Sequence, residues 1–223
     1  MKDLVVSVYQ EDISWIKNIK SIDRIFIYNK GNRVMEVDEK TLWTNLPNFG
    51  REAHSFIYHI VNNYDKLAEY TIFLQGNPFY HSTLTPDNIE TKFSEKIYKE
   101  EREPAFVDGN TLQEKLMHDW TGLTKGIYSR YLEGEEPEIY FSAGAQWIVH
   151  RDSIRSKSLR LYQDLLNELN THRVTNTDGI VNPWNMEGFW NYLFDKNTIE
   201  KQVFVDNLTH LYNYIYKCQT NSF

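Results

Sequence analysis

Residues 4–9, with the sequence LVVSVY, form the β-branched run on which the interpretation of the fold depends. A continuous apolar run of this length is typical of a strand buried on both faces of a parallel sheet. Similar runs follow at 24–28 and 71–74. A helical turn over 13–19 and an amphipathic helix from 51 to about 64 separate the three runs. The order strand, helix, strand, helix, strand predicts right-handed crossovers and a mainly parallel central sheet flanked by helices.

The rest of the chain continues this α/β pattern with weaker signals. Residues 32–47 are predicted to be irregular, and residues 82–137 form a long polar excursion with helices near 87–98 and 111–118, the place for a mobile lid. Strands are predicted at 138–142 and 146–150, and helices at 152–168, 187–194 and 198–216. A chain of 223 residues is long enough for one sizeable core, so we expect one domain over residues 1–223.

Composition limits the possible partners and compartments. The formal net charge of −7 argues against affinity for a nucleic-acid backbone, which needs clustered Lys and Arg. Cys218 is the only cysteine, which fits a reducing, cytoplasmic compartment. No apolar stretch is long enough for a membrane span, and the N-terminal run is too short for a signal peptide. The aromatic content of 15% suits stacking on sugars and bases, and equally a Tyr-rich core.

Polar residues follow each of the three predicted strands. Residues 9–12 (YQED), 28–30 (YNK) and 75–77 (QGN) come directly after them. Ligands of open α/β sheets bind outside the carboxyl ends of parallel strands. These three segments are therefore expected to converge on one crevice.

The segment 46–54 (LPNFGREAH) is a candidate anion-binding turn. Gly50 lets the backbone approach a ligand closely, and the helix N-terminus that follows favours anions. Arg51 can form two parallel hydrogen bonds to a phosphate, and Glu52 can orient Arg51 or bind a sugar hydroxyl. In the alternative interpretation, Asn48 is only an N-cap and the two charges belong to the exposed first turn.

The segment 73–81 (FLQGNPFYH) is a candidate metal site. Asn77 and His81 offer an oxygen and a nitrogen to a Mn²⁺ or Mg²⁺ ion that would bridge a diphosphate. The alternative is a plain Asn-Pro turn followed by a surface histidine.

The third candidate combines residues 141–152 with residues 186–190. Small residues between strands would make room for a sugar, and Trp147 or Trp190 could stack on an acceptor ring. Glu187 begins a predicted helix and could hold or deprotonate an acceptor hydroxyl. Alternatively, its charge only stabilises the helix N-terminus.

Five segments together resemble a known family: VSVYQEDISWI (6–16), IYNKG (27–31), LPNFGREAH (46–54), TIFLQGNP (71–78) and SAGAQW (142–147). Its members are mostly uncharacterised proteins of fungi, bacteria and large viruses. The chain is also similar to the N-terminal GT-A-type rhamnosyltransferase domain of a chlorella-virus glycosyltransferase. The resemblance covers most of residues 4–195.

This resemblance implies a GT-A-like fold, a UDP-sugar or related nucleotide-sugar donor, and a divalent cation. Asn77 stands where GT-A enzymes usually carry an Asp-x-Asp motif, and residues 77–79 (NPF) contain no acid. The Ala-Gly-Ala segment with Gly144 and Ala145, together with Glu187, would form the acceptor side. The donor-binding set would comprise Tyr9, Asn29, Lys30, Asn48, Gly50, Arg51, Glu52, Gln75 and Gly76.

The sequence therefore predicts a glycosyltransferase, with hexosyl or rhamnosyl transfer to a glycan or other hydroxyl acceptor. Arg51 and the cation would neutralise the leaving diphosphate, and Glu187 would act on the acceptor. The alternative function is a catalytically inactive carbohydrate-binding or scaffold protein that has kept the fold.

Overall fold

A computed structural model describes residues 1–34, 36–80, 82, 84–98, 105–106, 123–135, 145–170 and 181–201. Its strands are β1 (Lys2–Val8), β2 (Arg24–Asn29), β3 (Thr41–Asn45), β4 (Tyr70–Gln75), β5 (Ala105–Phe106) and β6 (Trp147–His150). Its α-helices are α1 (Arg51–Asn63), α2 (Ile89–Tyr98), α3 (Leu123–Tyr131), α4 (Arg151–Arg155), α5 (Leu159–Leu169) and α6 (Pro183–Phe194). Two 3₁₀ turns span Ser14–Asn18 and Tyr64–Lys66.

The described strands form one sheet in the order β3-β2-β1-β4-β6-β5. Strands β1 to β4 are mutually parallel, whereas β6 runs antiparallel to both β4 and β5. The predicted α/β class and mainly parallel sheet are confirmed. The sheet is mixed because a long segment joins β4 to β6, so no single crossover helix determines the direction of β6.

The chain changes direction across the sheet between β1 and β4. From β1 it moves outward through β2 to β3, and it then returns to place β4 on the other side of β1. Such a reversal leaves a crevice outside the carboxyl ends of the two strands, which is where open α/β sheets bind ligands. We call the side of the sheet on which β1 to β4 end the carboxyl edge.

Two hydrophobic clusters cover the two faces of the sheet. Val5 of β1 packs with Phe56 of α1 and Trp190 of α6 in one cluster. Leu4 and Val6 point the other way and join the second cluster. Because both faces are covered, β1 is apolar at consecutive positions, and this explains the run from which the strand was predicted.

Several predicted element boundaries are wrong, and the helix predicted over 187–194 begins four residues earlier, at Pro183. Residues 32–47 contain β3, an edge strand whose alternating burial gives no continuous apolar run. The helix predicted over 152–168 is two helices, because Ser158 caps a new helix with its hydroxyl. Residues 198–201 are not helical, since Glu200 forms a bridge with Leu132. The helix predicted at 111–118, the strand at 138–142 and the remainder of the C-terminal helix lie outside the described residues.

Across the described parts of the chain, no helix combines the length and the apolarity needed to span a membrane.

Candidate active site

The predicted donor-binding segments meet at the carboxyl edge. The ends of β1 and β2 touch, because a Cβ on Gly31 would lie only 1.8 Å from the carbonyl oxygen of Tyr9. The ends of β1 and β4 touch as well, since a Cβ on Gly76 would lie 2.8 Å from Oε2 of Glu11. Glycine is needed at both positions for this close approach. The sequence-based expectation of a common crevice therefore agrees with the fold.

The turn into α1 is built from two consecutive left-handed residues, Gly50 (φ 55°) and Arg51 (φ 47°). The left-handed conformation is unfavourable for arginine, so neighbouring groups must hold it. Lys30 does so, because its buried ammonium donates to the carbonyl oxygens of Phe49 and Arg51. Burial lowers the pKa of Lys30 to about 7, against the opposing charge of Glu52. In this structure Lys30 fixes the turn, and its ammonium is directed to backbone carbonyl groups of the turn, although the sequence predicted it to bind the donor.

The N-cap of α1 is Gly50, so the alternative role of Asn48 as the cap is wrong. Asn48 lies two residues earlier and is half-buried. A cap with φ of 55° suits glycine, and a Cβ at this position would lie only 2.9 Å from the Cβ of His54 and 3.2 Å from Cδ2 of Leu169.

Arg51 projects from the first turn of α1 toward the N-terminal half of α6. Its guanidinium carbon lies 4.2 Å from the ring centroid of Trp184, and its Nε lies 4.0 Å from Oε2 of Glu52. The Arg51 side chain remains 38% exposed, whereas Glu52 is buried. Burial raises the pKa of Glu52, while Arg51, the residue's own backbone N–H and Lys30 lower it. A solvent-accessible cation therefore lies next to a buried carboxyl group.

Glu187 belongs to this cluster, which we call the Arg51 cluster: Lys30, Arg51, Glu52, Trp184 and Glu187. Glu187 follows the first turn of α6, which contains no acidic residue and is capped by the side chain of Asn182. The proposed role of Glu187 as a first-turn charge is thus wrong. Burial and repulsion from Glu52 raise the pKa of Glu187 to about 8, and Arg51 opposes the shift. A carboxyl group that titrates near neutral pH is a feature of acid–base sites.

Two other predicted donor-binding residues have different surroundings. Asn29 is buried, and its Nδ2 donates to the carbonyl oxygens of Gly31 and Arg33, each at 3.1 Å. These bonds hold the turn after β2, so Asn29 presents little to a ligand. Tyr9, in contrast, is 45% exposed at the end of β1. Gln75 is half-buried at the end of β4.

The predicted acceptor-stacking residues lie in the core. Trp147 and Trp190 are each 1% exposed, and Trp190 stacks on Phe194 with ring centroids 5.4 Å apart. Neither ring has a face available for a sugar, so the stacking prediction is wrong for this arrangement. Ala145 is also fully buried, and Gly144 lies outside the described residues. The exposed aromatic ring of α6 is that of Trp184, which is 45% exposed and which no sequence pattern distinguished from the other tryptophans.

Of the two predicted metal ligands, Asn77 and His81, the structure describes Asn77. Asn77 lies exposed at the carboxyl edge, and its Oδ1 accepts a 3.3 Å hydrogen bond from the backbone N–H of Phe79. His81 lies outside the described residues. Among the residues that the structure describes, no group of three His, Cys, Asp or Glu could hold a metal ion. Metal binding at Asn77 and His81 stays a prediction.

A cavity of about 300 Å³ opens between the carboxyl ends of β1 and β4. Its lining combines carboxylates, a hydroxyl, an amide and apolar rings: Glu11, Asp12, Ser14, Trp15, Asn77, Phe79 and Pro86. We call it the switch-point cavity. In the sequence, this cavity is marked by the polar segment 9–12. Tyr9 is the one residue of that segment that was predicted to bind the donor.

Comparison with known proteins gives one match. Residues 4–206 match the sequence model of a family described as "Protein of unknown function (DUF3431)". No curated protein and no solved structure matches the chain. Because the match covers most of the 223 residues, the chain belongs to the DUF3431 family.

Proposed function

We propose that this protein transfers a sugar, hexosyl or rhamnosyl, from a nucleotide-diphosphate donor to a hydroxyl group of a glycan or other acceptor. The sequence resemblance implies that the donor is a UDP-sugar and that the fold is GT-A-like, and both are part of the proposal. One observation carries the proposal. The charge of Arg51, an exposed cation at the start of α1, acts on Glu187, a carboxyl group whose pKa is raised to about 8.

Arg51 is suited to the diphosphate of the donor. Its side chain is accessible, its guanidinium is held over Trp184, and it is the first residue of α1. A helix N-terminus and a guanidinium group both attract phosphate oxygens. The diphosphate gains negative charge as its bond to the sugar breaks, so a fixed cation at this point lowers the barrier to transfer.

Glu187 is suited to the acceptor. An acceptor hydroxyl must lose its proton as it attacks the sugar carbon, and a base works best when its pKa lies near the working pH. A carboxylate with a pKa of about 8 is a stronger base than an ordinary one. Glu187 must be ionised to accept the proton, so the rate of transfer should rise with pH up to about 8.

A divalent cation remains part of the proposal on the resemblance alone. When bound, such an ion would neutralise further charge on the diphosphate. The described residues do not fit its needs, because the amide oxygen of Asn77 is directed to the N–H of Phe79. The steps above therefore use only residues of the chain itself.

The experiment is a screen of UDP-sugars, with and without Mn²⁺, for binding by calorimetry and for release of UDP. Arg51→Met should weaken donor binding by about tenfold or more, the worth of a charge-assisted hydrogen bond. Glu187→Gln should leave donor binding unchanged and slow UDP release by about 10²-fold or more. Arg155→Met is the matched control, because Arg155 ends α4, which begins beside the start of β4 at the opposite edge.

Two results would contradict the proposal. One is the absence of binding for every nucleotide tested with or without Mn²⁺, which would favour an inactive carbohydrate-binding or scaffold protein. The other is a Glu187→Gln variant that releases UDP at the wild-type rate.

A further inference from the structure

We propose that the switch-point cavity binds a neutral, hydroxyl-bearing ring, namely a single pyranose. As the sugar subsite of a transferase this inference rests on the proposed function, but its chemistry is independent of the Arg51 cluster. The ring could belong to the acceptor or be the sugar carried by the donor. The two sources share the same chemistry and are distinguished by the experiment below.

The size and the apolar wall of the cavity fit one ring. A volume of about 300 Å³ lies at the lower end of the range for small-molecule sites. Trp15 is held in place because its Nε1 donates to the carbonyl oxygen of Gly76 at 3.0 Å. Phe79 meets Trp15 edge to face, with ring centroids 5.8 Å apart. Trp15 is itself only 4% exposed, so it supports Phe79, whose half-buried ring offers apolar surface to the C–H groups of a sugar.

The polar lining of the cavity offers a ligand one hydrogen-bond acceptor, from Glu11, and one hydrogen-bond donor, from Asn77. Oε2 of Glu11 accepts the backbone N–H groups of Tyr9 at 2.7 Å and Gln10 at 3.1 Å, which fixes the carboxylate. Within the described residues, the other oxygen, Oε1, accepts no hydrogen bond. Asn77 uses its Oδ1 for the N–H of Phe79, and its Nδ2 amide group donates to no acceptor that the structure describes.

Both kinds of ion fit this lining poorly. Glu11 and Asp12 are the charged residues of the lining, so a phosphate group would be repelled. A Mg²⁺ or Mn²⁺ ion requires about six oxygen ligands. It would meet the NH₂ group of Asn77, and both oxygens of Asp12 already accept from Ser14 at 3.0 Å. A hydroxyl group both donates and accepts, so it can satisfy Glu11 and Asn77 together.

The cavity and the Arg51 cluster lie at the same edge of the sheet. Glu11 of the cavity lies against Gly76, and its charge adds to the rise in the pKa of Glu52. A ring held by Glu11 would therefore lie at the carboxyl edge together with the Arg51 cluster.

The test is ligand-observed saturation-transfer NMR on the full chain. The probes are the methyl pyranosides of glucose, galactose, mannose and rhamnose, with glucose 1-phosphate, methylguanidinium and Mn²⁺ as comparison ligands. At least one neutral pyranoside should bind. If the ring is that of the acceptor, glucose 1-phosphate should bind about tenfold more weakly, which corresponds to about 1.4 kcal/mol. The inference is overturned if no pyranoside binds, or if only methylguanidinium or Mn²⁺ does.

Variants locate the bound ring. Asn77→Ala and Glu11→Gln should each weaken pyranoside binding by about fivefold or more, the worth of one hydrogen bond. Asn77 is exposed, so its truncation leaves the fold intact even if Glu11→Gln does not. The control is Asp65→Asn, an exposed carboxylate in the 3₁₀ turn before β4, at the opposite edge of the sheet. Equal binding by all variants would place the sugar elsewhere and refute the inference.

Two further arms identify the source of the ring and separate this inference from the proposed function. If Asn77→Ala weakens pyranoside binding to protein saturated with UDP, the ring is that of the acceptor. If it weakens UDP-sugar binding but not UDP binding, the ring is that of the donor. Displacement of the pyranoside by UDP alone would put the nucleotide in the cavity and refute the inference. Pyranoside binding without any nucleotide binding would support the cavity and refute the transferase.

Discussion

Replacing Glu187 by glutamine should change how the stability of the protein depends on pH. Burial and Glu52 raise the pKa of Glu187 from 4.5 to about 8 in the folded chain. An acid with a raised folded pKa contributes stability that is fully present below pH 4.5 and is lost as the pH rises through about 8. Glutamine cannot ionise, so the variant should not show this loss.

The magnitude follows from the elevation of the pKa. Each pKa unit corresponds to about 1.4 kcal/mol, so an elevation to about 8 corresponds to about 5 kcal/mol at most. Glu187 keeps some contact with solvent and interacts electrostatically with both Glu52 and Arg51. We therefore expect the free energy of unfolding of Glu187→Gln, relative to wild type, to rise by about 3 kcal/mol between pH 5 and pH 9.

Urea unfolding of the two proteins across this pH range measures the difference directly. The control is Glu36→Gln, an exposed glutamate outside the Arg51 cluster, which should give a constant difference. Glu52→Gln removes the repulsion and should move the transition of Glu187 to lower pH. A difference between Glu187→Gln and wild type that stays flat from pH 5 to pH 9 would refute the electrostatic reasoning.

Three other variants test the fold around the site. In the structure, Nη2 of Arg24 lies 2.6 Å from Oδ2 of the buried Asp3, so Arg24→Met leaves this carboxylate without its partner. The variant should lose about 3 kcal/mol or more of unfolding free energy, measured with urea. A loss no greater than that of Arg155→Met would be evidence against this. Gly31→Ala forces a Cβ toward the carbonyl oxygen of Tyr9 and should lower the free energy of unfolding by about 2 kcal/mol or more; a melting temperature equal to that of wild type would show that the turn adapts. Lys30→Met removes the donor that holds the turn into α1 and should cost about 2 kcal/mol; unchanged hydrogen exchange at residues 49–53 would show that the turn does not need it.

The sheet could be predicted because its signal is local. The runs that became β1, β2 and β4 are apolar at consecutive positions, since residues such as Leu4 and Val5 enter different clusters on the two faces. The carboxyl-edge crevice followed from strand order alone. Strand β3 was missed because an edge strand buries only part of each side chain, and no apolar run marks it.

The roles of individual polar residues could be predicted only in part. Arg51, Glu52 and Glu187, which the sequence assigned to the donor and acceptor sides, lie in one cluster, because two of them begin α1 and the third lies on the neighbouring α6. Lys30 and Asn29 have the right position, but their side chains bind nearby backbone carbonyls. Sequence spacing does not reveal whether a polar side chain faces its own turn or a ligand. It also does not reveal how a tryptophan side chain is oriented, so the buried Trp190 was predicted to stack on a sugar and the exposed Trp184 was not.

The central proposal is that the carboxyl edge binds the diphosphate of a nucleotide sugar. The most direct measurement is a titration of ¹⁵N-labelled protein with UDP-glucose and Mg²⁺, followed by backbone amide shifts. We expect saturable shifts at residues 9–12, 30–31, 50–53 and 75–77, and the loss of the shifts at 50–53 in the Arg51→Met variant. Shifts confined to the opposite edge, or no shifts with any nucleotide sugar, would contradict it.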